Sequence, residues 1–184
     1  MTVEETYLKG CYLIKPTTFH DERGYFYESF NTHKLRKGIN WNGTFVQDNV
    51  SMSKKGVLRG LHFQLGNSSQ AKLVSVLKGA VLDVAVDLRA SSATFGNYFK
   101  TVLDDRNKLQ LFIPKGFAHG FLTLSEEAIF CYKCDAFYNM EAESGIRFND
   151  ETLAIDWGIP HSDLIISSKD KLLKSFKECI PFQI

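Results

Sequence analysis

The chain has 184 residues, 44% of them apolar with fifteen Phe, and carries 22 basic and 21 acidic side chains for a formal net charge of +1. That length and apolar share suffice for a single domain over 1–184 with a sizeable core. The charge balance gives no support for non-specific binding to nucleic acid or to an anionic membrane surface, so any anion recognition has to be local.

The opening Met1-Thr2-Val3-Glu4-Glu5-Thr6 is acidic and lacks an apolar centre, which is unlike a signal peptide. No stretch approaches the roughly 20 apolar residues that cross a bilayer. A soluble, cytoplasmic protein is the expectation. A short helix is predicted over 31–37, capped by Asn31 or Thr32. From about 45 to 135 the chain reads as short β-rich runs between polar turns. Strands are predicted at 72–77, 81–88, 98–103, 109–113, 120–124 and 128–134, with turn signals such as Lys78-Gly79 and Pro114-Lys115-Gly116 between them. The 81–88 run places Asp83 and Asp87 on one face and apolar residues on the other, which predicts one wet face. A second helix is predicted from 168, with Ser168 as its cap. Such spacing indicates an all-β sandwich or barrel with a few short peripheral helices.

Cys131 and Cys134 have C-x-x-C spacing, which suits a redox pair or half a zinc site. They lie in a strand-like run with no second Cys/His pair at zinc-finger distance, so the expectation is small strand residues with unpaired thiols, as in a reducing cytosol.

The run Lys55-Gly56-Val57-Leu58-Arg59-Gly60-Leu61-His62-Phe63-Gln64 carries the strongest chemical signal. In a regular strand Arg59 and His62 fall on opposite faces. Gly60 relaxes that rule through a positive φ or a bulge, so both can turn into one cavity. An arginine fork suits a phosphate and an imidazole suits proton removal near neutral pH. Of the other histidines, His33 and His161 read as solvated surface groups, and His119 reads as part of a turn that presents its ring at a barrel mouth. Pro114-x-Gly116-x-x-His119 is similar to the second half of the cupin signature, but Gln64 stands where a metal-binding cupin has its second histidine. That donor set is poor for a metal, and none is expected. Arg23, Lys72, Tyr132 and Tyr138, taken singly, read better as turn, strand-end or packing residues, and their value comes from the set.

The ordered set of motifs is more specific. Asp21-x-Arg23-Gly24-x-Phe26-x-Glu28-x-Phe30, Gln47-x-Asn49-x-Ser51, the Lys55 to Gln64 run and Gln70-Ala71-Lys72-Leu73-Val74 come first. Val84-x-Val86-Asp87-Leu88-Arg89, Thr94-Phe95-Gly96 and Ile113-Pro114-x-Gly116-Phe117-Ala118-His119-Gly120-Phe121 follow. Tyr132-Lys133-Cys134, Glu143-x-Gly145-Ile146 and Ser168-Lys169-Asp170 complete the series. Over about 10–175 this resembles the dTDP-4-dehydrorhamnose 3,5-epimerase family.

The resemblance implies a cupin-like β jelly roll, a homodimer with substrate contacts across the interface, and an isomerase needing no metal or cofactor. Its substrate would be a dTDP-linked 4-keto-6-deoxyhexose. His62 resembles the family's base, Asp170 its dyad partner, Tyr132 the acid on the opposite face of the sugar and Lys72 the cation near the C4 oxygen. Arg59 and His119 resemble sugar and phosphate contacts. Arg23, Phe26, Glu28, Gln47 and Asn49 resemble nucleotide-side contacts, some reaching across the dimer, and Tyr138, Glu143 and Lys169 resemble further substrate contacts. The chain departs from the family pattern in the proline-free loop 65–69 and in Glu151 and Gly158, where proline is common. Neither departure removes a proposed catalytic group. Alternatives are a 3- or 5-epimerase of the same family, a metal-dependent cupin oxygenase, and a non-catalytic sugar-nucleotide binding module.

Overall fold

Alternating inward and outward residues build two facing sheets. The computed structural model describes residues 1–179. In chain order the strands are β1 (Thr2–Glu5), β2 (Tyr12–Lys15), β3 (Thr18–Asp21), β4 (Gly24–Tyr27), β5 (Gln47–Lys54), β6 (Val57–Gln64) and β7 (Lys72–Lys78). They continue with β8 (Ala80–Asp87), β9 (Tyr98–Asp104), β10 (Gln110–Ile113), β11 (Phe117–Thr123), β12 (Glu127–Cys134), β13 (Glu143–Gly145) and β14 (Ile165–Ile166). The first sheet has the order β1-β2-β10-β7-β12-β5 and the second β13-β6-β11-β8-β9, with β14 parallel to β6. β3 and β4 form a separate hairpin. This is the expected all-β, cupin-like jelly roll. Among the described residues no helix is long and apolar enough to cross a membrane.

The core between the sheets follows from strand parity. Val74, Val76, Leu111 and Phe130 of the first sheet meet Val81, Ala85, Phe117 and Phe121 of the second. The far face of the second sheet is also covered: Leu58, Val84, Val86 and Leu122 pack under Ile146, Leu153, Ile155 and Trp157 from the chain after β13. Helix α1 (Thr32–Ile39) closes part of the first sheet's far face through Leu35 and Ile39.

Several local expectations need correction. β8 has no wet face: Asp83 and Asp87 are wholly buried, because the sheet is packed on both sides. Asp87 is satisfied there by Arg89, Ser92 and Thr94. α1 does start at Asn31, whose side chain accepts a hydrogen bond from the Lys34 amide at 3.1 Å. The second helix, α2 (Ser168–Lys171), is a single turn capped by Ser167 rather than Ser168. It stops because the chain next pairs Lys174 with Ile146 and opens a new 3₁₀ turn at Ser175. All four cysteines are free thiols.

Candidate active site

The site begins with a parity change in β6. Leu58 belongs to the outer apolar layer, and so do Leu61 and Phe63, although their spacing is odd. Gly60 absorbs the extra residue: its φ is +117°, and the β6–β11 register shifts between His119 and Phe121. A Cβ at Gly60 would lie 2.7 Å from Gly120 Cα and 2.8 Å from the His119 carbonyl, so no larger side chain fits. The bulge therefore turns Arg59 and His62 into the same cavity, as the sequence predicts.

That cavity, about 630 Å³, opens between the two sheets, within the range of small-molecule sites. β6 and β11 of the second sheet contribute Arg59, His62 and His119, while β7 and β12 of the first contribute Lys72 and Tyr132. Asn49, Glu143, Lys169 and Asp170 complete its polar lining. An adjoining lobe of about 100 Å³ adds Gln47 and Tyr138.

His62 and Asp170 form a dyad. β14 runs beside Val57 and Leu58, which brings α2 to the bulge. There Asp170 Oδ1 accepts from His62 Nε2 at 2.7 Å and its Oδ2 accepts from the Gly60 amide at 3.2 Å. Burial works against the Asp170 carboxylate, but the His62 bond and charge and the Gly60 and Ser167 bonds outweigh it, leaving its pKa below the usual range. An ionised carboxylate only accepts, so it fixes the proton on His62 Nε2 and leaves Nδ1 as the basic atom.

The facing wall has a different character. Burial raises the Tyr132 phenol, with the nearby Cys134 adding to the shift, so the group stays protonated at neutral pH. Lys72 Nζ lies 5.9 Å from the Tyr132 ring centre and, among the described residues, has no carboxylate within ion-pair distance. Burial lowers the pKa of its ammonium. Such a cation is available to a developing oxyanion. Arg59 is held from behind, its Nε donating to Ser53 Oγ at 3.0 Å and Nη2 to the Met52 carbonyl at 3.4 Å. At the rim, Glu143 accepts from Tyr138 Oη at 2.6 Å and from Lys169 Nζ at 2.5 Å.

Comparisons with known proteins place the chain in a family. The family model described as dTDP-4-dehydrorhamnose 3,5-epimerase matches residues 5–178. The chain belongs to the dTDP-4-dehydrorhamnose 3,5-epimerase family. The enzyme of that name from Escherichia coli K12 is 48% identical over 184 residues, covering 100% of this chain and 99% of its own. The crystal structure from Elizabethkingia anophelis NUHP1 superposes with a TM-score of 0.93 at 56% identity, over 96% of this chain and 97% of that one. The dTDP-6-deoxy-D-glucose-3,5-epimerase of Legionella pneumophila Philadelphia 1, solved with dTDP-4-keto-L-rhamnose, gives 0.92 at 46% identity over 96% and 93% of the two chains. The expectation of an isomerase of this family therefore holds.

Within this family member, the predicted site residues divide into two groups. His62, Asp170, Tyr132, Lys72, Arg59, His119, Asn49, Glu143 and Lys169 line the main cavity, and Gln47 and Tyr138 its lobe. Arg23, Phe26 and Glu28 do not line either. Arg23 pairs with Asp21 at the tip of the β3–β4 hairpin, Phe26 is 69% exposed, and Glu28 accepts from Lys34 and Asn31. His119 is not in a turn: Gly116, at φ +83°, makes the turn, and His119 lies within a fully buried β11. Gln64, in the cupin metal-ligand position, accepts from the Asn139 amide at 2.8 Å and so holds the 135–142 loop. The sequence reading missed Ser53 behind Arg59 and Asp83 behind His119. Asp83 was legible had the apolar run 81–88 been taken as buried on both faces.

Proposed function

We propose that this chain converts dTDP-4-dehydro-6-deoxy-D-glucose to dTDP-4-dehydro-L-rhamnose by inverting C3 and C5. The observation that carries the proposal is His62 on one sheet, paired with Asp170 of α2, facing Tyr132 and Lys72 on the other sheet, with Lys72 in no ion pair among the described residues. The C4 ketone acidifies the hydrogens at C3 and C5. His62 Nδ1 takes one of them, the C–H electron pair becomes an enolate, and Asp170 stabilises the resulting imidazolium. Lys72 stands by the enolate oxygen. Tyr132 returns a proton to the carbon from the opposite face, which inverts it and restores the ketone. Solvent reprotonates the tyrosine and takes the proton from His62 before the second carbon reacts.

Arg59 and His119 hold the charged diphosphate and sugar, with Gln47, Asn49, Tyr138, Glu143 and Lys169 as further substrate contacts. The β3–β4 hairpin exposes Phe19 and Phe26 to 62% and 69% beside Arg23. A homodimer in which this hairpin, with Glu28, reaches the partner's nucleotide accounts for three residues that their own cavity does not use. Four free thiols suit a cytoplasmic setting.

The test is incubation with dTDP-4-keto-6-deoxyglucose in D₂O, with the label located by NMR and the product trapped by a 4-keto reductase. Deuterium at both C3 and C5 with an L-configured product is expected. Label at one carbon assigns a single-site epimerase, and no label from folded protein rejects the reading.

A further inference from the structure

Asp83 lies on the inner face of β8 and is wholly buried. Its Oδ2 accepts from His119 Nε2 at 2.9 Å, while its Oδ1 has no hydrogen-bond partner among the described residues. His119 is also its one ion-pair contact there. A buried carboxylate with an oxygen unused is costly to the fold. A side chain of that cost in a largely apolar core calls for a reason beyond packing.

Its neighbours supply one. His119 stacks on Phe130, ring centres 5.9 Å apart at 20°, and Phe130 stacks on Phe121 at 4.2 Å. The stack sets the plane of the imidazole, and the bond to Asp83 sets its rotation and places the proton on Nε2, so Nδ1 is left for other partners. The second neighbour is Lys72. Cys134 and Tyr132 face it from β12, Glu143 from β13, Asp83 from β8, Arg59 and His62 from β6 and His119 from β11. Among these the carboxylates whose charge reaches Lys72 are Asp83 and Glu143. Glu143 is already engaged by Lys169 and Tyr138. Among the described residues Asp83 forms no ion pair with a lysine or arginine.

We propose that Asp83 is a positioning residue for the epimerisation, and the proposal rests on the reading of the site given above. From behind the cavity wall it aims His119 and sets a buried carboxyl group on the side of the cavity that faces Lys72. The direction of the Lys72 shift agrees: burial pushes its pKa down, and the charges of Cys134, Asp83 and Glu143 push back.

Asp83→Asn keeps the shape and an acceptor for His119 but removes the charge. The expected result is a fall in kcat of about tenfold, with the alkaline limb of the kcat–pH profile and the NMR titration of Lys72 both moved to lower pH. A folded variant with wild-type kcat and an unmoved Lys72 titration would overturn the proposal. Should Asp83→Asn fail to fold, the wild-type protein gives a second readout. Nitrogen-15 shifts of His119 must show Nε2 protonated, and an Nδ1–H tautomer overturns the assignment. Wild-type protein that labels neither C3 nor C5 rejects the epimerase reading itself. Labelling by the wild type together with an unaffected Asp83→Asn variant rejects this inference alone.

Discussion

Two histidine–aspartate pairs stand back to back in this cavity, and they differ in access rather than in chemistry. His62 and His119 are directly opposite each other on β6 and β11. The His62 side chain is 32% exposed, and its Asp170 arrives on a one-turn helix. The His119 side chain is 8% exposed, and its Asp83 is anchored in a strand that is buried throughout from Asp83 to Asp87. A base has to reach a substrate hydrogen and afterwards lose its proton to solvent, which only the first pair can do readily. The second pair is built to hold a ring still. On the proposed reading, identical residue types serve proton transfer in one place and positioning in the other, and the bulge at Gly60 is what brings His62 into the cavity beside Arg59.

The comparison is broken most sharply at Asp170. Asp170→Asn should lower kcat by about 10³–10⁴-fold, since an amide no longer enforces the tautomer or stabilises the imidazolium; steady-state assays set against Asp83→Asn check the contrast. The stability effect has a definite sign. The folded pKa of Asp170 lies below its unfolded value, so its contribution is present above the unfolded carboxylate range and is lost as pH falls through the folded pKa. Urea unfolding of wild type and variant should therefore converge in acid and diverge near neutrality.

Lys72→Met should cost about 10²–10³-fold in kcat by leaving the enolate oxygen without its cation. The same change should raise Tm at neutral pH. The folded pKa of Lys72 is lowered by burial, so the unfolded chain binds the proton more tightly, and wild-type stability recovers only as pH rises from the folded towards the unfolded value. Methionine removes that cost. A lower Tm would show that the ammonium is better compensated than the described contacts indicate.

Arg59→Ala should act on binding, raising KM about 10–100-fold with kcat changed far less, as expected for the loss of a charge-assisted contact. An unchanged KM would confine Arg59 to its bonds with Ser53 and Met52.

Much of this was readable from residues. Gly60 announced the bulge, because a residue tolerant of positive φ can bring positions 59 and 62 to one face. Asn31 announced its helix through its capping oxygen. The failures have physical causes. Asp83 and Asp87 looked like solvent-facing charges because strand alternation reports parity, and parity does not say which face is covered. Here the chain after β13 buries one face and the first sheet the other. Asp170 lies 108 residues from His62, a pairing that local pattern cannot reveal and that came instead from the family resemblance. The hairpin bearing Arg23 and Phe26 is met by its own chain through Lys108, 3.9 Å over the Tyr25 ring, while Arg23 and Phe26 stay exposed, so local pattern alone did not reveal what those two side chains serve.

The most direct test compares His62→Ala with His119→Ala for exchange of the substrate's C3 and C5 hydrogens in D₂O, with dTDP affinity measured alongside by calorimetry. The account predicts that His62→Ala loses exchange at both carbons, by about 10²–10⁴-fold, while dTDP binding is nearly unchanged. It predicts that His119→Ala keeps exchange at saturating substrate but binds dTDP more weakly. Exchange that survives in His62→Ala and vanishes in His119→Ala would contradict it and make the buried pair the base.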